Sequence, residues 1–425
     1  MNFNMALEKA TQLSLGHLAQ IGETIYLVRD LHGRIRILLK KRPGKENITK
    51  LEVTKALTDG FVEQLGDYAY AAKDLVMYSQ ELRHIQLPNE RTSRLLASIE
   101  GLEIRIHDRL LMCGEWDTRP ETEVSDPKRF TLFSMKGGVG RSTTATILAW
   151  HLAKKGKRVL VFDLDLESPG VGSTLLPQGS AYGIVDWFVE DALGHGASVL
   201  EEMVAASPLS DSLPGHIAVV PAFGTETGDY LAKLGRVYLE RGPNGPESWS
   251  ARLKRLVSAL EQQEKPDVVL LDSRTGLHDT SAALVLAMGA QTLLFAVDSR
   301  QTWNAYDFLF QHWKQHPDVD KFRDKLWVLG SMVPETEQTA YLQSLKENAW
   351  SLFLYLYEET GPESEPEVFT FGQNEEAGNH FPRPILWQRG LQSFDPTSDL
   401  SPQLVEAAYG SFLRWFDTVL FNEAV

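Results

Sequence analysis

Nine residues, Met135-Lys136-Gly137-Gly138-Val139-Gly140-Arg141-Ser142-Thr143, hold the strongest chemical signal in the chain. Glycines let a loop wrap closely around phosphate oxygens, because no Cβ stands in the way. Backbone amides and a helix N-terminus then turn partial positive charge toward the anion. Three glycines alone would suit a bare strand-to-helix turn that binds nothing. Two cations, Lys136 and Arg141, with Ser142-Thr143 at these offsets, point instead to a polyphosphate cup. Three aspartates follow at positions that end apolar runs: Asp163 and Asp165 in the stretch Asp163-Leu164-Asp165, and Asp272 after 268–271. A lone aspartate at a strand end is most often a helix cap or a loop ion-pair partner.

The elements that position these residues are legible from periodicity. From Phe130 onward, short and nearly continuous apolar runs (130–133, 159–162, 217–220, 268–271, 293–297 and 326–329) alternate with helical segments. Strands buried on both faces read this way, and their alternation with helices predicts a parallel sheet with right-handed crossovers. The fold class is α/β, with a doubly wound, mainly parallel sheet. The phosphate cup falls directly after the first strand and opens a helix over 142–154.

A small α+β module is expected ahead of it. Runs 24–28 and 34–39 are joined by Asp30-Leu31-His32-Gly33, a hairpin signal, with Ile35, Ile37 and Leu39 on one face. Apolar residues three and four apart between 52 and 82 (Val53, Leu57, Phe61, Leu65, Tyr68) predict amphipathic helix. The stretch 117–128 is polar, contains two prolines and reads as a linker, so the boundary is placed near Ser125, giving domains 1–125 and 126–425.

Length and charge agree with two modules. The chain has 425 residues, more than one core usually serves. Its formal charge is −15. Residues 1–128 carry 18 basic and 19 acidic side chains, leaving 24 and 38 for the remainder. A chain-wide field that attracts nucleic acid is therefore excluded, and an anion site must be local. A single cysteine, Cys113, excludes internal disulfides and cysteine-rich zinc sites, and suggests a cytoplasmic setting. The uncharged stretch 280–297 reaches the length of a membrane span, yet Gly289-Ala290 divides it into a helix-like and a strand-like half, and both are read as buried.

The cup departs from the common P-loop at both ends: Met135 stands in place of the first glycine, and Arg141 in place of the lysine before the Ser/Thr. Lys136-Gly137-Gly138-Val139-Gly140-Arg141-Ser142-Thr143 resembles the deviant Walker A motif of the ParA/MinD ATPases, whose signature lysine corresponds to Lys136. The resemblance spans about 130–330 and implies a P-loop NTPase domain that binds ATP with Mg²⁺. Residues 136–143 (Lys136, Gly137, Gly138, Val139, Gly140, Arg141, Ser142 and Thr143) would contact the nucleotide. Asp163-Leu164-Asp165 resembles the family's first switch, in which Asp165 would orient the attacking water. Asp272 with Ser273-Arg274-Thr275-Gly276 looks like the Walker B aspartate and second switch; Ser142, Asp163 and Asp272 would serve the metal. Lys136 would reach across an ATP-dependent homodimer to the partner's phosphates. Lys136, Arg141 and Asp165 are thus the catalytic candidates. Arg141 leaves the rate open, since a planar guanidinium is not equivalent to a lysine point charge. The adenine-reading Asn-Arg pair of the family is missing at Leu329-Gly330-Ser331-Met332, so ATP over GTP rests on resemblance alone.

Three readings follow: a slowly hydrolysing switch that signals to a protein partner through 1–125, a non-hydrolysing nucleotide sensor or scaffold, and a tyrosine kinase of the related P-loop type. The kinase reading has only Tyr409 near the tail to support it. Residues 29–50 carry eight basic against two acidic side chains, which leaves a nucleic-acid or acidic-partner surface open. The C-terminal segment 404–421 is amphipathic but acidic, which predicts a helix docked on the core and no membrane anchor. His312 and His316 are four apart, beside Pro317, and a helix C-terminus accounts for them without metal. The insert 178–266 is expected to carry specificity. Arg274 could meet phosphate or a partner.

Overall fold

The computed structural model describes residues 1–421 apart from 45, 83–86, 90–91, 124, 358–371, 393–394 and 397–399. Two compact units are present, Met1–Asp117 and Thr118–Val425. The division precedes the Ser125 expected from composition because the polar stretch after it is tied to the second unit. Glu121 N donates to the Leu286 carbonyl at 2.7 Å, and Lys325 Nζ donates to the Glu121 carbonyl at 2.9 Å. Lys254 also pairs with the Glu121 carboxylate.

In the first unit, α1 (Phe3–Ile21), α2 (Ile48–Leu65) and the short α3 (Ala72–Leu75) accompany a sheet of β1 (Ile25–Arg29), β2 (Ile35–Leu39), β3 (Val76–Tyr78), β4 (Arg94–Ile99) and β5 (Leu102–Asp108), in the order β3-β2-β1-β5-β4. The expected hairpin is β1-β2, antiparallel. Its turn is held by Asp30, whose carboxylate accepts from the amides of His32 and Arg34 at 2.9 Å each, and by Gly33 at φ +84°. The helical reading of 52–82 overshoots. Gly66, at φ +55°, ends α2 after Leu65, and Val76–Tyr78 pairs parallel with β2 as a strand. Ala6, Ala10, Ile25, Ile37, Leu57 and Phe61 are among the residues of its core.

The basic segment is met locally. Arg29 pairs with Asp108, Arg34 with Asp30 at 3.0 Å, Arg42 with Glu81 at 2.6 Å and Lys50 with Glu23 at 2.6 Å. Arg36 lies 3.5 Å from the centroid of the Tyr70 ring. Lys45 is outside the described residues. Half of the cations that suggested a nucleic-acid surface therefore already face a carboxylate.

In the second unit, among the described residues, eight strands form one sheet in the order β15-β14-β13-β6-β12-β7-β9-β8. They are β6 (Lys128–Ser134), β7 (Arg158–Leu164), β8 (Ala205–Ala206), β9 (His216–Val220), β12 (Val268–Ser273), β13 (Gln291–Ala296), β14 (Leu326–Val333) and β15 (Arg383–Leu386). The two-residue strands β10 (Arg241–Gly242) and β11 (Gly245–Pro246) pair apart from it. All ladders of the large sheet are parallel except β8 with β9. This is the doubly wound α/β arrangement, and it includes every apolar run read as a strand. One face is covered by α4 (Arg141–Lys154) with a C-terminal helix, Pro402–Trp415. The other is covered by α6 (Ile184–Asp191), α8 (Trp249–Glu264) and α9 (Asp279–Leu286), the last following the short α5 (Val171–Leu175) and α7 (Tyr230–Val237) in chain order. The stretch 280–297 is α9 followed by β13, turned at Gly289 with φ +63°.

Residues 402–420 pack inward through Val405, Phe412 and Phe416, and Asp417 is clasped by His151 at 3.0 Å and Lys155 at 2.8 Å. Among the described residues no helix is long and apolar enough to cross a membrane. Tyr409 is buried in the same face and bonded to Thr144 at 3.3 Å, and burial pushes its phenol up to about 12. That arrangement is unlike an exposed modification site, so the kinase reading loses its one tail tyrosine.

Candidate nucleotide site

The central strands β6, β12 and β7 are neighbours, so their C-terminal ends bring the glycine loop, Asp272 and the Asp163/Asp165 pair to one mouth of the sheet. Ser134 closes β6 and anchors the loop. Its hydroxyl donates to the Lys136 carbonyl at 2.9 Å, while its own carbonyl accepts from Gly276 N at 2.9 Å. Gly138 and Gly140 have φ of +72° and +81°, which only glycine adopts at no cost. Gly137 has no such backbone demand, and a methyl group placed there would meet no protein atom within 4 Å. Its lack of a side chain keeps space open over the loop, which suits a ligand approaching the backbone. Gly140 caps α4 without a side-chain acceptor, leaving first-turn amides directed at the cup.

Arg141 is buried, and it spans the site. Nε donates to Asp272 Oδ1 at 2.8 Å, one terminal nitrogen to Asp165 Oδ2 at 3.0 Å and the other to Ser134 Oγ at 3.0 Å. Ser142 Oγ donates to the second Asp272 oxygen at 2.6 Å. The sequence-derived residues Arg141, Ser142, Asp165 and Asp272 are thus assembled. Lys136 stands apart from them at the surface, where Nζ donates to Gln301 Oε1 at 3.2 Å. Ser134 was not singled out by the sequence. Neither was the pair of Arg274 with Glu167 at 2.7 Å, which gives Arg274 a partner within the chain, and Glu167 also accepts from the Tyr238 hydroxyl.

Asp163 lies opposite Asp272 in the β7-β12 ladder and is fully buried. Oδ2 accepts from the amides of Gly170 and Gly172 at 3.0 and 2.9 Å, and Oδ1 has no hydrogen-bond partner. Burial, and then the charge of Asp272, push its carboxyl up to about 7, only partly opposed by the two amides. Asp165 is also raised, by burial first, with Arg141 acting in the other direction. Among the described residues no group of three His, Cys, Asp or Glu is placed to hold a metal by itself. In the ligand-free chain the expected set of Ser142, Asp163 and Asp272 has protein partners: one oxygen of Asp163 accepts from backbone amides, and Asp272 accepts from Arg141 and Ser142. The hydroxyl and carboxylate oxygens of Ser142 and Asp272 are still the hard donors that suit Mg²⁺, provided phosphate oxygens complete its shell.

The raised Asp163 has a stability consequence. Between about pH 4 and 7 the unfolded chain releases this proton while the native chain keeps it, so native stability falls as pH rises through that window. Asp163→Asn retains an acceptor for Gly170 and Gly172 without the charge. Its melting temperature in metal-free buffer is expected to gain on the parent's as pH goes from 5 to 8; a constant difference between the two proteins would contradict the assignment.

A glycine loop between strand and helix, with a hydroxyl and a carboxylate converging beside it, defines a P-loop nucleotide-binding domain. Residues 130–293 match the CobQ/CobB/MinD/ParA nucleotide-binding domain. The match runs from β6 into β13 and takes in the glycine loop, Asp163, Asp165 and Asp272. The chain is 48% identical over 54 residues to the chromosome-partitioning ATPase Soj of Thermus thermophilus, covering 13% of this chain and 17% of that protein. Over 70 residues it is 43% identical to an iron-sulfur cluster carrier protein of Pseudomonas fragi, covering 16% and 24%. The matched segments span less than a quarter of these relatives' lengths. Among solved structures, pNOB8 ParA bound to nonspecific DNA aligns over 70% of this chain and 99% of its own, with 16% identity and a TM-score of 0.44. A ParA family ATPase from Chlorobium tepidum aligns over 52% and 80%, with 15% identity and a TM-score of 0.38.

Proposed function

We propose that the protein is an ATP-binding, slowly hydrolysing Mg²⁺-dependent switch that forms a homodimer around nucleotide and signals to a protein partner through residues 1–125. The observation that carries this reading is the cup itself: open glycines, uncapped α4 amides, and Ser142 bonded to Asp272 at 2.6 Å. When bound, Mg²⁺ would neutralise charge on the phosphate oxygens, with Ser142 and Asp272 holding its shell. In the ligand-free chain Arg141 serves as an internal counter-ion for Asp165 and Asp272. Nucleotide competes with that pairing, and only in the fraction of molecules where Asp165 is released does it orient the attacking water, which keeps hydrolysis slow.

Lys136 fits a role in trans, since it lies outside its own chain's cluster. Two facing triphosphates repel, and a cation supplied by each chain to the other offsets the repulsion only when both are present. Sedimentation of the full chain with Mg²⁺ and a non-hydrolysable ATP analogue is expected to give a dimer, and Lys136→Ala a monomer that still binds nucleotide. A variant that dimerises like the parent would exclude the role in trans.

One observation favours the non-hydrolysing sensor. Asp165 is already bonded to Arg141, and a chain in which that pair persists with ATP bound would hold nucleotide without turning it over. Single-turnover phosphate release above an Asp165→Ala control separates the two readings.

A further inference from the structure

Beside the phosphate cup lies a cleft of about 270 Å³ that the reading above does not use. Its walls are the segment 172–179, which continues from the first aspartate pair, and the loop 221–225 that leaves β9. Both walls are held in place by backbone contacts. Ile184 N and Val185 N donate to the carbonyls of Pro221 and Ala222 at 2.9 and 3.1 Å, and Thr225 N and Glu226 N to those of Ser180 and Ala181 at 2.8 Å each. Gly183 and Gly224 admit these approaches, since a methyl group at either would run into the facing backbone. Buried Asp186 ties the frame together, accepting from Gly183 N at 2.8 Å, Thr227 Oγ1 at 2.7 Å and Lys233 Nζ at 2.5 Å. A cavity framed this firmly is preformed, at about the lower end of the size of small-molecule sites.

Its lining specifies a ligand class. Leu176, Pro177, Pro221 and the exposed ring of Phe223 offer an apolar wall, while Ser173, Gln178 and Thr225 offer uncharged polar groups. No lysine, arginine or histidine lines it, and one carboxylate, Asp163, does. Asp165 has Arg141 and Asp186 has Lys233, but among the described residues no basic side chain lies within ion-pair distance of Asp163, and its Oδ1 lacks a partner. The local field is negative: the nearby Tyr230 phenol is held above its ordinary range by burial and by Asp163, Glu167, Asp165 and Asp186 together.

We propose that this cleft binds a small organic cation, an amine or guanidine on an apolar body, at a site distinct from the phosphate cup. Above about pH 7, where Asp163 is ionised, it disfavours anionic ligands of the same shape, and the frame excludes larger ones. The site stands on the cleft's geometry and does not require the nucleotide reading.

The test uses the full chain at about pH 8 and three probes of one shape, followed by calorimetry or saturation-transfer NMR: tyramine, uncharged 4-ethylphenol and anionic 4-hydroxyphenylpropionate. Tyramine is expected to bind at least tenfold more tightly than the carboxylate, with the phenol between them. Ser173→Phe and Thr225→Phe, which fill the cleft from two exposed wall positions, should each weaken tyramine at least tenfold while unfolding like the parent. Absent tyramine binding, equal affinity for the carboxylate, or undiminished binding in both filled variants would overturn the proposal. Titration of the same proteins with a fluorescent ATP analogue reports separately on the cup, so failure of one site is not mistaken for failure of the other.

Discussion

Removing the Arg141 side chain is expected to cost the ligand-free protein about 3–5 kcal/mol of unfolding free energy, the usual consequence of deleting one partner of a buried ion pair. Asp272 is fully buried and Asp165 nearly so, and Arg141 supplies each with its ion-pair partner. Arg141→Ala leaves both carboxylates, with Asp163 alongside, in a site that water barely enters. The loss should be larger at pH 8 than at pH 5, because acid lets the stranded carboxylates take up protons. Urea unfolding at the two pH values measures it. Lys136→Ala is the comparison, with a change near zero expected, since its side chain has only a surface contact. Equal stabilities for Arg141→Ala and Lys136→Ala would mean that Arg141 is not the counter-ion of the site.

The second large effect is on turnover. Arg141→Lys is expected to accelerate single-turnover phosphate release by roughly 100-fold, the lower end of the range attributed to a positioned general base. Guanidinium bonds Asp272 and Asp165 simultaneously through a rigid fork, and a single ammonium on a flexible stem does not reproduce that bridge. Lysine thus leaves the phosphate attraction in place and releases Asp165. The gain should vanish in the double variant Arg141→Lys/Asp165→Asn. An Arg141→Lys protein no faster than the parent would show that the Arg141–Asp165 pair does not limit the chemistry.

These effects rest on contacts that the sequence concealed. The glycine loop, the buried strands and the aspartates at their ends were all legible, because each is a local pattern: a spacing, an apolar run, a residue closing that run. The role of Arg141 was not. Its spacing suggested phosphate contact, whereas the fold gives it Asp165 and Asp272, carried to it by two strands that flank each other only in the sheet. The basic run at 29–50 misled for the same reason, since Asp108, Glu81 and Glu23 arrive from outside it. Strand β3 was hidden within a helical period because its three residues are too short to show alternation, and its pairing with β2 is long-range. Arg383–Leu386 and Ala205–Ala206 extend the sheet's two edges without an apolar run long enough to mark them.

Isothermal titration of the full chain with a non-hydrolysable ATP analogue, with and without Mg²⁺, asks whether the loop 136–143 holds a magnesium-chelated triphosphate. One analogue per chain, bound more tightly with Mg²⁺ and weakened at least tenfold by Asp272→Asn and by Gly137→Val, is the predicted result. No binding, or binding indifferent to the metal and to both substitutions, would contradict it.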